Sequence, residues 1–421
     1  MSASAGGSPA ADCSSDGPIL VTLVGDEPLG PLVLARHLQA RRVICLSLPV
    51  VEWRVEPLLE ILRHHGCQVS AISLSVLDVP VGVQQIGQRL GLAADDSVVF
   101  DLTNARGVLG IALYELAHSR EQQAPDRNRL VRVDWSDRVL RAVSPDQAIA
   151  EPIQADIGLE AYLAVHGKRL LGHERSKGSA SPFGEAARRL ARAIPQARPL
   201  LDAAHRGAVD HPLRIPHRRG MQRLIEELVD DGVLEQRGSS VFATSIRAFQ
   251  FLHGRWLEEY LFEVADASGQ FDDCASGLRF RWTFAGEERA ARPDEVANEI
   301  DFAGVAGGRA TIASCKTGGR DVNGPLYELL TLAERAAGRS VVAVFATTDT
   351  LDRPARHRAA ALGIRVLDAT RLPDPRIVLT MLLNGAPPTN GAPATTPERE
   401  TRSDRASAHR RRRASVEASR A

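Results

Sequence analysis

NEIDFAGVAGGRATIASCKTG, residues 298–318, is the stretch on which the reading of this chain turns. Two apolar-rich runs, 298–305 and 310–317, flank the pair Gly307–Gly308. A glycine pair between such runs predicts a two-residue turn and a β-hairpin. Antiparallel pairing across that turn sets residue 301 opposite 314 and residue 299 opposite 316. Side chains alternate with period two, so Glu299, Asp301, Ser314 and Lys316 share one face, while Ile300, Phe302, Ala313 and Cys315 take the other. One face is apolar; the other gathers two acids, a hydroxyl and an amine.

The amine is informative because of composition. Of 52 basic residues only Lys168, Lys177 and Lys316 are lysine, the rest being arginine. A generic surface charge in this chain is therefore an Arg, and a surviving Lys marks a place where a compact ammonium is needed in place of a planar guanidinium. Phosphodiester cleavage has that need: a hard cation held by carboxylates, and a positive group near the attacking water or the developing charge. Asp301 and Lys316 on adjacent strands fit it. Glu258 or Glu259, on a helix predicted over FQFLHGRWLEEYLFEVA (249–265), supplies a further carboxylate. The alternative is an exposed, salt-bridged strand face, common in antiparallel pairs. Beyond the hairpin come the predicted helix GPLYELLTLAERAAG, strand SVVAVFAT, helix RPARHRAAALG and strand IRVLDA, which make 249–384 a compact α/β unit.

Toward the N-terminus, PILVTLV (18–24), VICLSLP (43–49), QVSAISLS (68–75) and SVVFDLTN (97–104) are buried-strand runs separated by helical patterns. That rhythm predicts a doubly wound, Rossmann-like parallel sheet over 18–150. Ligands of such sheets bind past the strand carboxyl ends, here at Gly25–Asp26 and at Thr103–Gly107. Backbone amides at the following helix start, with Arg106, suit a phosphate; the alternative is that Asp101 and Asn104 only cap that helix. Residues 151–248 read as a helical connector, with a winged-helix-like helix, turn and hairpin over 221–242 whose helix carries acids that repel phosphate. Residues 1–17 and the Arg-rich 385–421 read as disordered.

The 421 residues, 44% hydrophobic and 25% charged with zero net charge, describe a globular chain of more than one domain. Five scattered cysteines argue for a reducing compartment and against structural zinc, and no run approaches a membrane span, so a cytoplasmic protein is expected. Neither a GxxxxGK[ST] phosphate loop nor an HExxH helix occurs.

WLEEY (256–260), NEID (298–301), SCKTG (314–318) and the helix bearing Tyr327–Glu328–Leu329 together resemble the PD-(D/E)XK restriction-like nuclease domain, and most of all the version fused to CARF sensor domains in type III CRISPR ancillary nucleases. LVGDEPLGPLVLA (23–35) and LEAYLAVHG (159–167) resemble the same family. The resemblance implies a homodimeric nuclease that cleaves DNA or RNA in antiviral defence with Mg2+ or Mn2+. Its activator is a cyclic oligoadenylate, with the tetra-adenylate the expected member. By position it places catalysis on Lys316, Asp301, Glu258 and Ser314, the metal on Asp301, Glu258, Glu299 and Cys315, and the cyclic ligand on Gly25, Asp26, Thr103, Asn104 and Arg106. Two departures stand out: Ser314 occupies the position of a metal-binding acid, leaving Glu299 or Glu258 to compensate, and the second ligand loop reads Thr103-Asn104-Ala105-Arg106-Gly107 where the family has a Gly-rich loop with Lys. Two other readings follow: a degenerate nuclease that binds nucleic acid or a partner without cutting, and a ligand-responsive transcription regulator using 221–242.

Overall fold

The computed structural model describes residues 16–383 except 26, 76–77, 136, 144–149, 210, 216–220, 283–297, 319–321 and 339; the tail 385–421 and nearly all of 1–17 fall outside the described residues. The first sheet runs β1 (Ile19–Leu23), β2 (Arg42–Ser47), β3 (Gln68–Ser73), β4 (Val98–Asp101), β5 (Asn128–Asp134), β6 (Val139–Ala142) and β7 (Ala150–Pro152). Its spatial order is β3-β2-β1-β4-β5-β6-β7, parallel through β5 and antiparallel beyond. Helices α1 (Leu29–His37), α2 (Val55–His64), α3 (Val79–Leu90) and α4 (Gly107–Gln123) are the crossovers. β1 is buried at every residue, as a strand covered by helices on both faces must be. This is the doubly wound arrangement that the sequence predicts, and its direction reverses between β1 and β4, where both predicted ligand loops emerge.

The second sheet is mixed. It contains β8 (Lys168–Gly172), β9 (Arg175–Ser176), β12 (Asp273–Trp282), β13 (Asn298–Ala306), β14 (Arg309–Lys316), β15 (Val342–Thr347) and β16 (Arg365–Leu367) in the order β16-β15-β14-β13-β12-β8, with β9 also on β12. The 151–248 stretch is therefore not helical throughout: after α5 (Leu159–Val165) it contributes β8 and β9 to this sheet. Only then come α6 (Gly184–Arg192), α7 (Ile194–Arg206), α8 (Met221–Asp230) and the hairpin β10 (Leu234–Arg237) with β11 (Ser240–Ala243), the helix, turn and hairpin expected over 221–242.

The long helix predicted over 249–265 is broken. α9 (Ile246–Gln250) passes into a widened turn, Phe251–Arg255, before α10 (Trp256–Ser268), because Gly254 adopts φ 150°, a backbone angle no helix accommodates. Trp256, Leu257, Tyr260, Leu261 and Phe262 then fill the core under the sheet, with Tyr260 Oη donating to the Leu372 carbonyl at 2.7 Å. α11 (Asn323–Ala337), α12 (Arg353–Ala361) and α13 (Pro375–Leu382) complete the unit. α5 belongs to one continuous apolar cluster shared by α2 of the first sheet and Ile300, Val305 and Ile312 of the second, so the two halves share a core.

Candidate active site and ligand loops

The hairpin register is the one that the glycine turn dictates: Ala306 faces Arg309, and the pairing continues to Phe302 opposite Ala313. There it stops. β13 continues paired with β12, placing Glu299 opposite Arg279, while β14 continues with β15, placing Lys316 opposite Thr347. The two strands part because Asp301 takes over the hydrogen bond: its Oδ2 accepts from the Cys315 amide at 2.6 Å and from Ser314 Oγ at 3.3 Å. A carboxylate thus sits in the fork between the strands. The expected position of Glu299 across from Lys316 is not realised, since no pairing reaches that far, and Glu299 is exposed.

Asp301, Ser314, Lys316 and Glu258 converge on this fork. Burial raises the Asp301 carboxyl, while the Cys315 amide, the Lys316 ammonium and Ser314 pull it back. Glu258, half-buried on the first turn of α10, is pushed up to about 8 by burial first, then by Asp301 and by Glu174, with Arg255 opposing. Of the two candidate helix acids, Glu258 is therefore the one at the site. Glu259 is engaged elsewhere, with Arg175 Nε at 3.2 Å and Ser181. The Cys315 thiol is buried in one cluster with Phe302, Ala313 and the α10 residues Trp256 and Leu257, and Asp301 and Glu258 act on it electrostatically, adding to the rise that burial causes. Glu174 escapes a local reading of sequence because it arrives from the β8–β9 connection, far upstream.

A sign follows for pH. A carboxyl raised from 4.5 to about 8 binds more protons folded than unfolded, so its contribution to stability is whole below about pH 4.5 and is lost as pH rises through about 8. Metal-free protein is expected to melt lower at pH 8 than at pH 5, and Glu258→Gln to flatten that slope in melts across the range. A slope unchanged by the substitution removes Glu258 from the buried cluster.

Among the described residues no group of three His, Cys, Asp or Glu side chains is preassembled around one point. The donors present nonetheless fit a hard divalent cation. Two half-buried carboxylates lie close enough for Asp301 to raise Glu258, a neutral Ser314 hydroxyl bonds Asp301, and a cation would relieve that repulsion.

At the first sheet, Thr103 and Asn104 are tied into the fold. Thr103 N–H and Oγ1 donate to Asp101 Oδ1, at 2.8 and 2.5 Å, and Oγ1 accepts from the Val133 amide at 2.9 Å. Asn104 Nδ2 donates to the Leu23 and Glu27 carbonyls, both at 3.1 Å, clamping the loop that carries Gly25. A Cβ at Gly25 would stand 3.3 Å from Asn104, so a larger residue there would press on the clamp by a few tenths of an ångström. Asp101 and Asn104 therefore do not cap α4; its N-cap is Arg106, exposed and without a side-chain cap, which leaves the first amides of a 17-residue helix open. Asp26 lies outside the described residues.

A packed connection joins these loops to the fork. Trp135 lies against Gly30, at the start of α1, and against Gly308, where a Cβ would come within 2.6 Å of its ring. The Gly307 amide donates to Asp272 Oδ2 at 2.7 Å, and Asp272 also meets Arg138 at 3.7 Å. Ser340, just before β15, donates to Glu27 Oε2 at 3.3 Å. The turn between the two catalytic-candidate strands is thus held by residues next to the ligand loops.

A doubly wound domain joined through a shared core to a mixed sheet is an architecture found in solved proteins. The chain has the fold of protein VC1899 from Vibrio cholerae (TM-score 0.70, 18% identity, 87% of this chain and 97% of that one). It also has the fold of Can2 from Sulfobacillus thermosulfidooxidans, solved in complex with cyclic tetra-adenylate (TM-score 0.67, 15% identity, the same coverages). No protein-family model matches the chain, and no curated protein does. Among the described residues no helix is long and apolar enough to cross a membrane.

Proposed function

We propose that this chain is a cyclic-oligoadenylate-activated, metal-dependent nuclease of type III CRISPR antiviral defence, acting as a homodimer on DNA or RNA. The observation that carries the reading is the fork itself: Asp301 seated between parting strands, with Lys316 and half-buried Glu258 turned to it. Mg2+ or Mn2+, held by Asp301 and Glu258, would polarise a phosphoryl oxygen and acidify an attacking water. Lys316 places a fixed positive charge against the phosphorane charge, and Ser314 holds Asp301 in its rotamer. Ligand binding at the first sheet is supported by the open α4 amides, by Arg106 and by a shared fold with a protein solved holding cyclic tetra-adenylate. A symmetric ring is read by two copies of one site, which is the reason for a dimer. Incubating the protein with cyclic tetra- and hexa-adenylate, Mn2+ or Mg2+, and single- and double-stranded DNA and RNA tests the proposal; no cleavage in any combination refutes it.

Trp135 supports a coupled reading, since it touches both the α1 start and the hairpin turn. Trp135→Ala is expected to leave calorimetric binding of cyclic tetra-adenylate within about 3-fold while reducing ligand stimulation of cleavage by roughly 5- to 100-fold, the usual span of a coupling energy. Full stimulation in the variant refutes this route.

A second reading is favoured by Ser314 and by the absence of a preassembled three-ligand group among the described residues: a chain that senses the ring and grips nucleic acid without cutting. Retarded nucleic acid without cleavage products in the same assay selects it.

A further inference from the structure

We propose that Glu174 supplies the carboxylate that Ser314 lacks, reaching the divalent cation of the Asp301 centre across the side-chain-free position 277. The proposal rests on the nuclease reading above.

Strand register places the residues in one row. On β12, Ser276 faces Arg175 and Arg279 faces Gly172, so Gly277 faces Glu174. On its other side Ser276 faces Phe302 and Leu278 faces Ile300, so Gly277 also faces Asp301. On its far side Asp301 meets Ser314, whose hydroxyl donates to its carboxylate at 3.3 Å. Glu174, Gly277, Asp301 and Ser314 are thus successive neighbours across the sheet, and Glu174 is joined through Arg255 to the start of α10, the helix that carries Glu258. The family's missing acid and Glu174 occupy the two flanks of Asp301.

Gly277 is what opens the row. Its φ of +57° is left-handed, and a Cβ there would come within 2.5 Å of Glu174 Cγ. The Glu174 side chain accordingly lies over position 277, in the direction of Asp301, while its amide stays on the Ser276 carbonyl at 3.0 Å. Strands about 4.8 Å apart put the Glu174 and Asp301 backbones roughly 10 Å from each other. Asp301 Oδ2 is turned the other way, to Ser314 and the Cys315 amide, so a cation shared with Glu174 would be held on the remaining Asp301 oxygen, within reach of the longer glutamate side chain. Glu174 also acts electrostatically on Glu258, as Asp301 and Glu299 do. Arg255 Nη1, 2.5 Å from Glu174 Oε1, occupies the carboxylate meanwhile.

The competing account is a surface ion pair between Glu174 and Arg255, and the variants separate the two. Mn2+ binding is measured by calorimetry on the full chain for wild type, Glu174→Gln, Arg255→Ala and the pair Ser314→Glu with and without Glu174→Gln, with a melting curve in chelator for each. The proposal predicts a Mn2+ dissociation constant raised about 10-fold or more by Glu174→Gln, unchanged or lowered by Arg255→Ala, and moved by less than about 3-fold by Glu174→Gln once Ser314→Glu has restored the acid. Wild-type binding retained in Glu174→Gln overturns the role of Glu174 and leaves the nuclease reading intact. Equal weakening by Glu174→Gln and Arg255→Ala also overturns it, in favour of the ion pair. No Mn2+ binding by wild type overturns both.

Discussion

Lys316→Ala is expected to lower ligand-stimulated cleavage by about 100- to 1000-fold, the scale on which loss of a group stabilising transition-state charge is felt. Calorimetric binding of cyclic tetra-adenylate is expected to stay within about 2-fold, since Lys316 sits on the second sheet and the ligand loops on the first. Lys316→Arg is expected not to rescue activity: a guanidinium is broader than an ammonium and cannot approach one oxygen in the same way. The chain itself points to the same conclusion, having used arginine almost everywhere else. Retained cleavage in Lys316→Ala removes the fork from the chemistry.

Ser314→Glu carries the second-largest effect and the opposite sign. The hydroxyl at position 314 already bonds the Asp301 carboxylate. A glutamate there adds a charged oxygen donor one strand away, and divalent affinity is expected to rise by about 10- to 100-fold with the added ligand charge. In metal-free protein the same change crowds a further negative charge against Glu258 and Asp301, so the variant is expected to melt lower in chelator and to regain more stability than wild type on adding Mn2+. Cleavage that appears only in Ser314→Glu selects the non-cutting reading for the natural chain. Unchanged Mn2+ affinity shows that 314 does not border the cation.

The parts of the site that were legible in the sequence are those fixed by short-range geometry. A glycine pair between two strand-like runs sets a register, and the register brings Asp301 beside Ser314 with Lys316 two residues on. The same arithmetic fails for Glu299, because it assumes that the ladder persists, whereas the Asp301 carboxylate ends it by taking the Cys315 amide. Local patterns also cannot report partners distant in sequence. β8 and β9 are too short to stand out from helical surroundings, so the acid they bring to the site, Glu174, and the glycine that makes room for it are visible only once the sheet is assembled. Periodicity carried one helix through 249–265, yet Gly254 breaks it. At the loops after β1 and β4 the sequence offers no sign that Thr103 and Asn104 spend their side chains holding the loops together, while the α4 start at Arg106 carries no side-chain cap.

In the proposed function a ring-shaped oligoadenylate on the first sheet switches on phosphodiester cleavage at the fork of the second. The most direct test is cleavage of end-labelled DNA and RNA by wild-type protein in Mn2+, with and without cyclic tetra-adenylate, beside Lys316→Ala. Products that require both ligand and metal and vanish in the variant are the predicted result. Products that persist in Lys316→Ala, or no products under any combination while the ring binds, contradict it.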